Sequence, residues 1–217
     1  TLVKEIRHVF DFIEKPYLPV KFKELLVSPN DMRSKLLKLI EEEIKNARKQ
    51  KPARILGKVN HITDRTLIAK LYEASAAGVK IDLVVRGNCS IVTGIPGISE
   101  NIRINGIIDR YLEHSRIFIF ENAGDMIYLG SADWMPRNLD NRIEVLTPVY
   151  DKEIQTELKR IVEYGLKDSL QGRQVDGTGQ NIPWENEDHS LFRSQSALYH
   201  YYQEDIQGIT TNNIPHE

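Results

Sequence analysis

Several features that are common in proteins are scarce in this chain. It has 217 residues and a single cysteine, Cys89, so it can form no intrachain disulfide and no cysteine-based zinc site. The formal net charge is only −2, which provides no overall positive field of the kind that favours nucleic acid. We therefore expect a protein of a reducing compartment, the cytoplasm, that has no nucleic-acid partner.

Long apolar segments are lacking as well. No run approaches the roughly 20 residues that a spanning helix needs, so we predict no transmembrane segment. The opening TLVKEIRHVFDFIEK lacks the basic leader, unbroken apolar core and cleavage site of a signal peptide. Its apolar residues recur at helical spacing, which predicts an amphipathic helix already in progress. We therefore expect the chain to be part of a longer protein.

The composition is that of an ordinary globular domain, with 41% hydrophobic and 28% charged residues. Ser28 is predicted to cap a helix that has Pro29 at its first position, and Asp151 opens another helix. The segment 192–203 is predicted to be a short helix, and 208–217 to be frayed or disordered. Strands are predicted at 25–27, 54–59, 79–85, 102–107, 116–120, 126–129 and 142–146.

The strand–helix–strand order from Arg54 to Val85 predicts a right-handed crossover and a parallel strand pair. Four more short strands follow this unit. The sequence therefore predicts an α/β fold with a mixed, partly parallel sheet flanked by helices.

His114 and Arg116 stand two residues apart at the start of a predicted strand, so their side chains should point to the same face. Histidine can act on phosphorus or its leaving oxygen, while arginine can hold a phosphate oxygen by a charge-assisted fork. Ser131 and Asn138 would add neutral donors to the same anion. The alternative for His114 is a structural or solvated histidine ahead of a strand.

A second group of polar residues stands at strand ends. Arg86 ends one buried strand, and Lys58 and Asn60 end its predicted parallel neighbour. Open α/β sheets bind their ligands at the carboxyl ends of parallel strands, so we expect these three residues to share one rim. A row of cations there suits an extended polyanion or a nucleotide triphosphate. The alternative for Arg86 is a solvated arginine at a strand end.

The chain contains four long and distinctive segments: FIEKPYLPVKFKELLVSPNDMR, KVNHITDRTLIAKLYEASAAGVKIDLVVRGNCS, GISENIRINGIIDRYLEHSRIFIFENAG and YLGSADWMPRNLDNRIEVLTPV. In this order they closely resemble the carboxyl-terminal part of bacterial polyphosphate kinase of type one. The resemblance runs from about residue 1 to about residue 175.

That resemblance implies a fold with a pair of phospholipase D-like halves, each with a histidine motif. His114-Ser115-Arg116 fits the motif of the second half, with arginine where the superfamily usually has lysine and Glu121 where it usually has aspartate. Residues 1–27 would then end the preceding half and form a connector. Residues 28–175 would form the second phospholipase D-like domain, and 176–217 a tail that is partly helical or disordered.

The resemblance further implies reversible transfer of the ATP terminal phosphate to a growing polyphosphate chain, with Mg²⁺, through a phosphohistidine of the first half. No second His-x-Lys or His-x-Arg motif occurs in this chain. We therefore expect a chain that lacks the nucleophile and is inactive alone. Arg86 and His114 would contact the nucleotide phosphates, and His114 would be the acid/base partner of the absent histidine.

The partners implied are ATP or ADP, inorganic polyphosphate, the upstream domains of a full-length chain and a second copy in a homo-oligomer. The full-length enzyme is expected in the cytoplasm or at a membrane. Two rival functions stay open. One is a phospholipase D-like phosphodiesterase or nuclease active as a dimer, against which Arg116 in place of lysine speaks. The other is a non-catalytic phosphate-binding or assembly module, which has no need of Arg86, His114 and Arg116 together.

Overall fold

A mixed sheet of eight strands is the centre of the computed structural model, which describes residues 2–17, 19–121 and 126–212, with side chains as far as residue 204. The spatial order is β1-β7-β6-β5-β2-β3-β4-β8. The pairs β2–β3 and β3–β4 are parallel and the others antiparallel, so the predicted mixed sheet is confirmed. The strands are β1 (Leu26–Ser28), β2 (Arg54–Val59), β3 (Lys80–Val85), β4 (Ile102–Gly106), β5 (Arg116–Phe120), β6 (Met126–Gly130), β7 (Glu144–Pro148) and β8 (Arg173–Gln174).

Helices cover both faces of the sheet. Residues of α2 and α3 join one hydrophobic cluster and residues of α5 join another on the opposite face. None of the helices in the described ranges is both long and apolar enough to cross a membrane. The helices are α1 (Leu2–Glu14), α2 (Met32–Arg48), α3 (Arg65–Ala76), α4 (Pro136–Asp140), α5 (Lys152–Lys167) and α6 (Ser194–Asn212).

The apolar run after His114 is explained by its place in the middle of the sheet. Phe118 and Phe120 of β5 belong to the cluster that includes α2 and α3. Ile117 and Ile119 belong to the cluster that includes Leu158 of α5. Successive side chains of a strand point to opposite faces, so a strand covered on both sides has apolar residues throughout. All four side chains are fully buried, and each such burial stabilises the fold by about 1.5–3 kcal/mol.

The start of α2 differs from the prediction. Ser28 does not cap this helix but is the last residue of β1, where it pairs with Glu144 and donates its hydroxyl to the carbonyl of Asn138 at 2.5 Å. The helix begins at Met32, with Asp31 as the residue before it. Ser28 is therefore part of a strand because it pairs with a distant segment, and local capping rules cannot predict such pairing.

Two further differences lie in the second half of the chain. The strand predicted at 142–146 is displaced to Glu144–Pro148, and the short helix α4 that precedes it was not predicted. The backbone of α6 continues to Asn212, beyond the point where fraying was expected. Residues 213–217, the rest of that predicted segment, lie outside the described residues. The division into segments 1–27, 28–175 and 176–217 stays a prediction.

Candidate functional site

His114 and Arg116 lie against each other, as their spacing predicted. The Arg116 guanidinium places Nη1 3.0 Å from Nδ1 of His114 and Nη2 3.3 Å from its Nε2, and Nη1 also donates to the His114 carbonyl at 2.9 Å. A guanidinium has only donors and a neutral imidazole has one acceptor nitrogen, so only one of these two ring contacts can be a hydrogen bond at a time. The imidazole itself is exposed, and a ligand can reach it.

A buried carboxylate, Asp133, holds this pair in place. Its Oδ2 accepts from Nη2 of Arg116 at 3.0 Å, and its Oδ1 accepts from the backbone N–H of Asn60 at 2.9 Å and from the Asn60 amide at 3.1 Å. Burial alone raises the pKa of the Asp133 carboxyl, but the hydrogen bonds from Arg116 and Asn60 outweigh burial and lower that pKa overall. Asp133 is therefore an anion that joins β5 to the end of β2.

The packing of Trp134, the residue after Asp133, explains why the Asp133 carboxylate lies beside Asn60. Trp134 is fully buried and stacks on Phe118, with the ring centroids 4.8 Å apart. The Trp134 carbonyl accepts from the backbone N–H groups of Thr63 and Asp64 at 2.8 and 2.9 Å. The segment after β6 is thus pinned to the segment after β2, which brings Asp133 to Asn60.

Arg86 reaches the same network from β3. The parallel register pairs Val59 with Val85, so the residues that follow these strands are neighbours. Nε of Arg86 donates to Oδ1 of Asn60 at 2.8 Å. One line of polar contacts therefore runs from Arg86 through Asn60 and Asp133 to Arg116 and His114.

A cavity of about 180 Å³ opens at this rim and is lined in part by Lys58, Asn60 and Arg86. This confirms the expected shared rim of the three strand-end residues. Lys58 is buried and forms an ion pair with Glu113, which precedes His114. No carboxylate among the described residues pairs with Arg86, so its charge faces the cavity uncompensated.

The two other residues of the predicted phosphate-binding set, Ser131 and Asn138, differ in their exposure. Asn138 is 3% exposed, and its amide donates to Glu144 at 2.7 Å, which shields it from an incoming anion. Ser131 is exposed and follows Gly130, the residue that pairs with Arg116 across β5 and β6. Glu121 lies beyond the opposite end of β5 from His114, where its N–H donates to the Arg54 carbonyl. The acid that contacts the histidine motif is therefore Asp133 and not Glu121.

Asp133 and Glu113 were missed by the sequence reasoning. The available signal was an acidic residue two positions after the Gly-Ser pair, and another directly before His114. Neither stands at a spacing that local geometry would pair with its partner. Asp133 and Asn60 are 73 residues apart, and Lys58 and Glu113 are 55 apart.

The glycine of the Gly130-Ser131 pair is required by sheet packing. A Cβ added at Gly130 would lie 2.0 Å from the Val145 carbonyl oxygen and 2.9 Å from Cα of Leu146. Both are backbone atoms of a paired strand and cannot turn aside. The close packing of β6 against β7 therefore requires glycine at position 130, independently of any ligand that Ser131 could bind.

We expect Gly130→Ala to lower the free energy of unfolding by about 3 kcal/mol, the upper range for overpacking, since β7 must shift. Urea unfolding of the variant and wild type measures the difference. An exposed small-residue change, Ser196→Ala in α6, should leave stability unchanged. A Gly130→Ala protein as stable as wild type would contradict the packing argument.

The carboxylates around the cavity do not form a metal site. Glu113 is paired with Lys58, Asp133 with Arg116, and Asp109 with Arg193. No cluster of three or more metal-ligating side chains occurs in the part of the chain that the structure describes. These residues therefore do not fit a magnesium ion held by protein side chains alone, and we assign it no ligand here.

Comparison with known proteins gives consistent matches. The family profile described as polyphosphate kinase C-terminal domain 2 matches residues 25–195. A polyphosphate kinase of Vibrio vulnificus (strain YJ016) is 47% identical over 201 residues, 92% of this chain, and that of Escherichia coli (strain K12) is 43% identical over the same length. The chain spans 29% of the length of either relative. The crystal structure of polyphosphate kinase from Porphyromonas gingivalis superposes with a TM-score of 0.88 at 39% identity, covering 95% of this chain and 32% of that one.

Proposed function

The chain belongs to the polyphosphate kinase family, and on this premise we propose that it supplies the phosphate-binding C-terminal part of an enzyme that makes inorganic polyphosphate. The reaction is reversible transfer of the ATP terminal phosphate to the growing polymer. The observation that carries the proposal is the line of contacts from Arg86 to His114 beside a cavity at the carboxyl ends of β2 and β3.

The two arginines of the site divide the work. Arg86 keeps an uncompensated positive charge at the cavity, which suits binding of phosphate oxygens. Arg116 is neutralised by Asp133 and held by it at 3.0 Å, so its contribution is placement of the His114 ring. A fixed imidazole next to a fixed guanidinium needs little reorganisation when charge develops on a phosphoryl group.

His114 is proposed to hold or release the proton at the oxygen that leaves phosphorus. The nucleophile would be a histidine outside the residues of this chain, which has no second motif of this type. Attack and protonation from opposite sides of one phosphate suit two separate groups. Magnesium bound to the nucleotide phosphates would neutralise part of their charge.

Binding measured on the 217-residue chain tests the proposal directly. We expect calorimetric titration with ATP and with inorganic tripolyphosphate to show binding that weakens as salt rises. Arg86→Ala should weaken it roughly tenfold or more, because a hydrogen bond to a charged group contributes about 1.5–3 kcal/mol. Arg142→Ala, an exposed arginine after α4, is the matched control and should bind like wild type. Equal affinity in the Arg86 variant would remove Arg86 from the site.

The same preparation separates the rival functions. Hydrolysis of a chromogenic phosphodiester that is lost in His114→Ala would favour a phosphodiesterase. Tight self-association in light scattering without any phosphate binding would favour an assembly module. Synthesis of polyphosphate from ATP by this chain alone would contradict the proposal that it is inactive by itself.

A further inference from the structure

The loop between β4 and β5, residues 107–115, carries His114. The start of α6, from much later in the chain, forms hydrogen bonds with this loop. Gln195, in the first turn of α6, is 7% exposed and contacts this loop. Tyr111 donates its N–H to Oε1 of Gln195 at 2.8 Å, and Nε2 of Gln195 donates to the Tyr111 carbonyl at 2.8 Å. The side-chain amide therefore pairs with both backbone groups of one loop residue.

The same Gln195 amide reaches a second loop residue. Its Nε2 donates to Oε1 of Glu113 at 2.9 Å, while Oε2 of Glu113 pairs with Lys58 in the cavity. Glu113 is thus fixed from two sides, by the amide on one oxygen and by the ammonium on the other. Because Glu113 directly precedes His114, its placement constrains both the cavity cation and the histidine.

The first turn of α6 is itself firmly held. Asp168 is fully buried and accepts from the Ser194 N–H at 2.8 Å and from the Ser194 hydroxyl at 2.6 Å. Arg193 adds a fork to Asp109, at the near end of the same loop, with bonds of 2.9 and 2.5 Å. The helix start is therefore a rigid support, and Gln195 transmits that rigidity to the loop.

We propose that Gln195 is a positioning residue of the phosphate site, which acts by fixing the Tyr111 peptide groups and the Glu113 carboxylate so that Lys58 and His114 stand in their working places. The inference rests on the proposed function of that site. A glutamine is needed because the position must accept one hydrogen bond and donate two. A glutamate at this position would still accept from the Tyr111 N–H, but its negative charge would face the Tyr111 carbonyl and the Glu113 carboxylate.

Two substitutions and a matched control test the proposal. Gln195→Glu is isosteric, removes the two donated hydrogen bonds and adds a negative charge, and Gln195→Met removes every side-chain hydrogen bond at similar volume. Gln203→Glu adds the same charge on α6 at an exposed position whose amide contacts only Tyr199 in the described structure. We expect Gln195→Glu to weaken ATP and tripolyphosphate binding to the 217-residue chain by about tenfold, and Gln203→Glu to bind as wild type does.

Hydrogen exchange supplies a readout that does not depend on ligand binding. The Tyr111 amide should exchange at least about tenfold faster in Gln195→Met, while amides of β2 and β3 keep their protection. In the double variant Gln195→Glu with Glu113→Gln, the amide at residue 113 can donate to the carboxylate at residue 195. We therefore expect the double variant to recover part of the affinity for ATP and tripolyphosphate that Gln195→Glu loses. Recovery would not follow if Gln195 served only the general stability of α6.

The outcomes separate the two proposals. No binding of ATP or tripolyphosphate by the wild-type chain would contradict the proposed function, and the positioning role with it. Binding by the wild type that Gln195→Glu leaves unchanged would overturn the positioning role alone. An unchanged exchange rate at Tyr111 in Gln195→Met would overturn it as well.

Discussion

Asp133→Asn is expected to lower the free energy of unfolding by about 3 kcal/mol, because removing one partner of a buried ion pair leaves the other charge uncompensated. Asp133 is 5% exposed and joins Arg116 to Asn60. An asparagine retains one acceptor oxygen, but its amide group would face the donors of Arg116. The same change should disorder the His114 ring, since Arg116 loses the group that orients it.

The loss should depend on pH with a definite sign. The pKa of the Asp133 carboxyl is lowered in the folded protein from its ordinary value of 3.8. The stabilisation is then fully present above that ordinary value and disappears as the pH falls through the lower folded value. Wild type and Asp133→Asn should therefore differ most near neutral pH and converge in acid.

Urea unfolding monitored at several pH values measures both effects. Asp188→Asn changes the same side chain at an exposed position and should leave stability within about 0.5 kcal/mol of wild type. A constant difference between wild type and Asp133→Asn from neutral pH down to about pH 2 would show that the Asp133 charge contributes nothing.

His114→Ala is expected to reduce polyphosphate synthesis by about 10²–10⁴-fold in a full-length polyphosphate kinase that contains this chain, the range for a lost general acid–base group. Folding should not suffer. The side chain is exposed, and the bond from Arg116 to the carbonyl of residue 114 does not involve the imidazole.

Turnover of ATP to polyphosphate, followed together with the unfolding midpoint, separates catalysis from stability. His189→Ala, an exposed histidine between α5 and α6, is the control and should keep full activity. Turnover within a few-fold of wild type in His114→Ala would remove the imidazole from the chemical step. A parallel loss of stability would instead make it a structural residue.

Much of the sheet could be predicted because its signals are local. β2 and β3 are apolar runs separated by a helical pattern, and a buried parallel pair is the packing that such an order favours. Ser28 failed as a cap for the opposite reason. Its local context fits a helix start, but pairing with Glu144, more than a hundred residues away, places it in a strand.

The site divides along the same line. The two-residue spacing predicted that His114 and Arg116 share a face, and their side chains do meet although His114 lies in the loop before β5. Lys58, Asn60 and Arg86 share a rim because parallel strands end together. Asn138 looked like one more donor to the anion, yet packing buries it against Glu144. Local pattern could suggest its chemistry but not the direction in which its side chain points.

By itself, the amino-acid sequence determined the fold class and the histidine motif with its strand-end cations, since these rest on periodicity or on short-range spacing, and it indicated the family through the resemblance of several long segments. Only the tertiary structure decided what holds those groups together. Asp133 links Arg116 of β5 to Asn60 at the end of β2, and Gln195 supports the His114 loop from 84 residues away. Such contacts depend on how distant segments meet in the folded chain, and no spacing along the chain encodes that meeting directly.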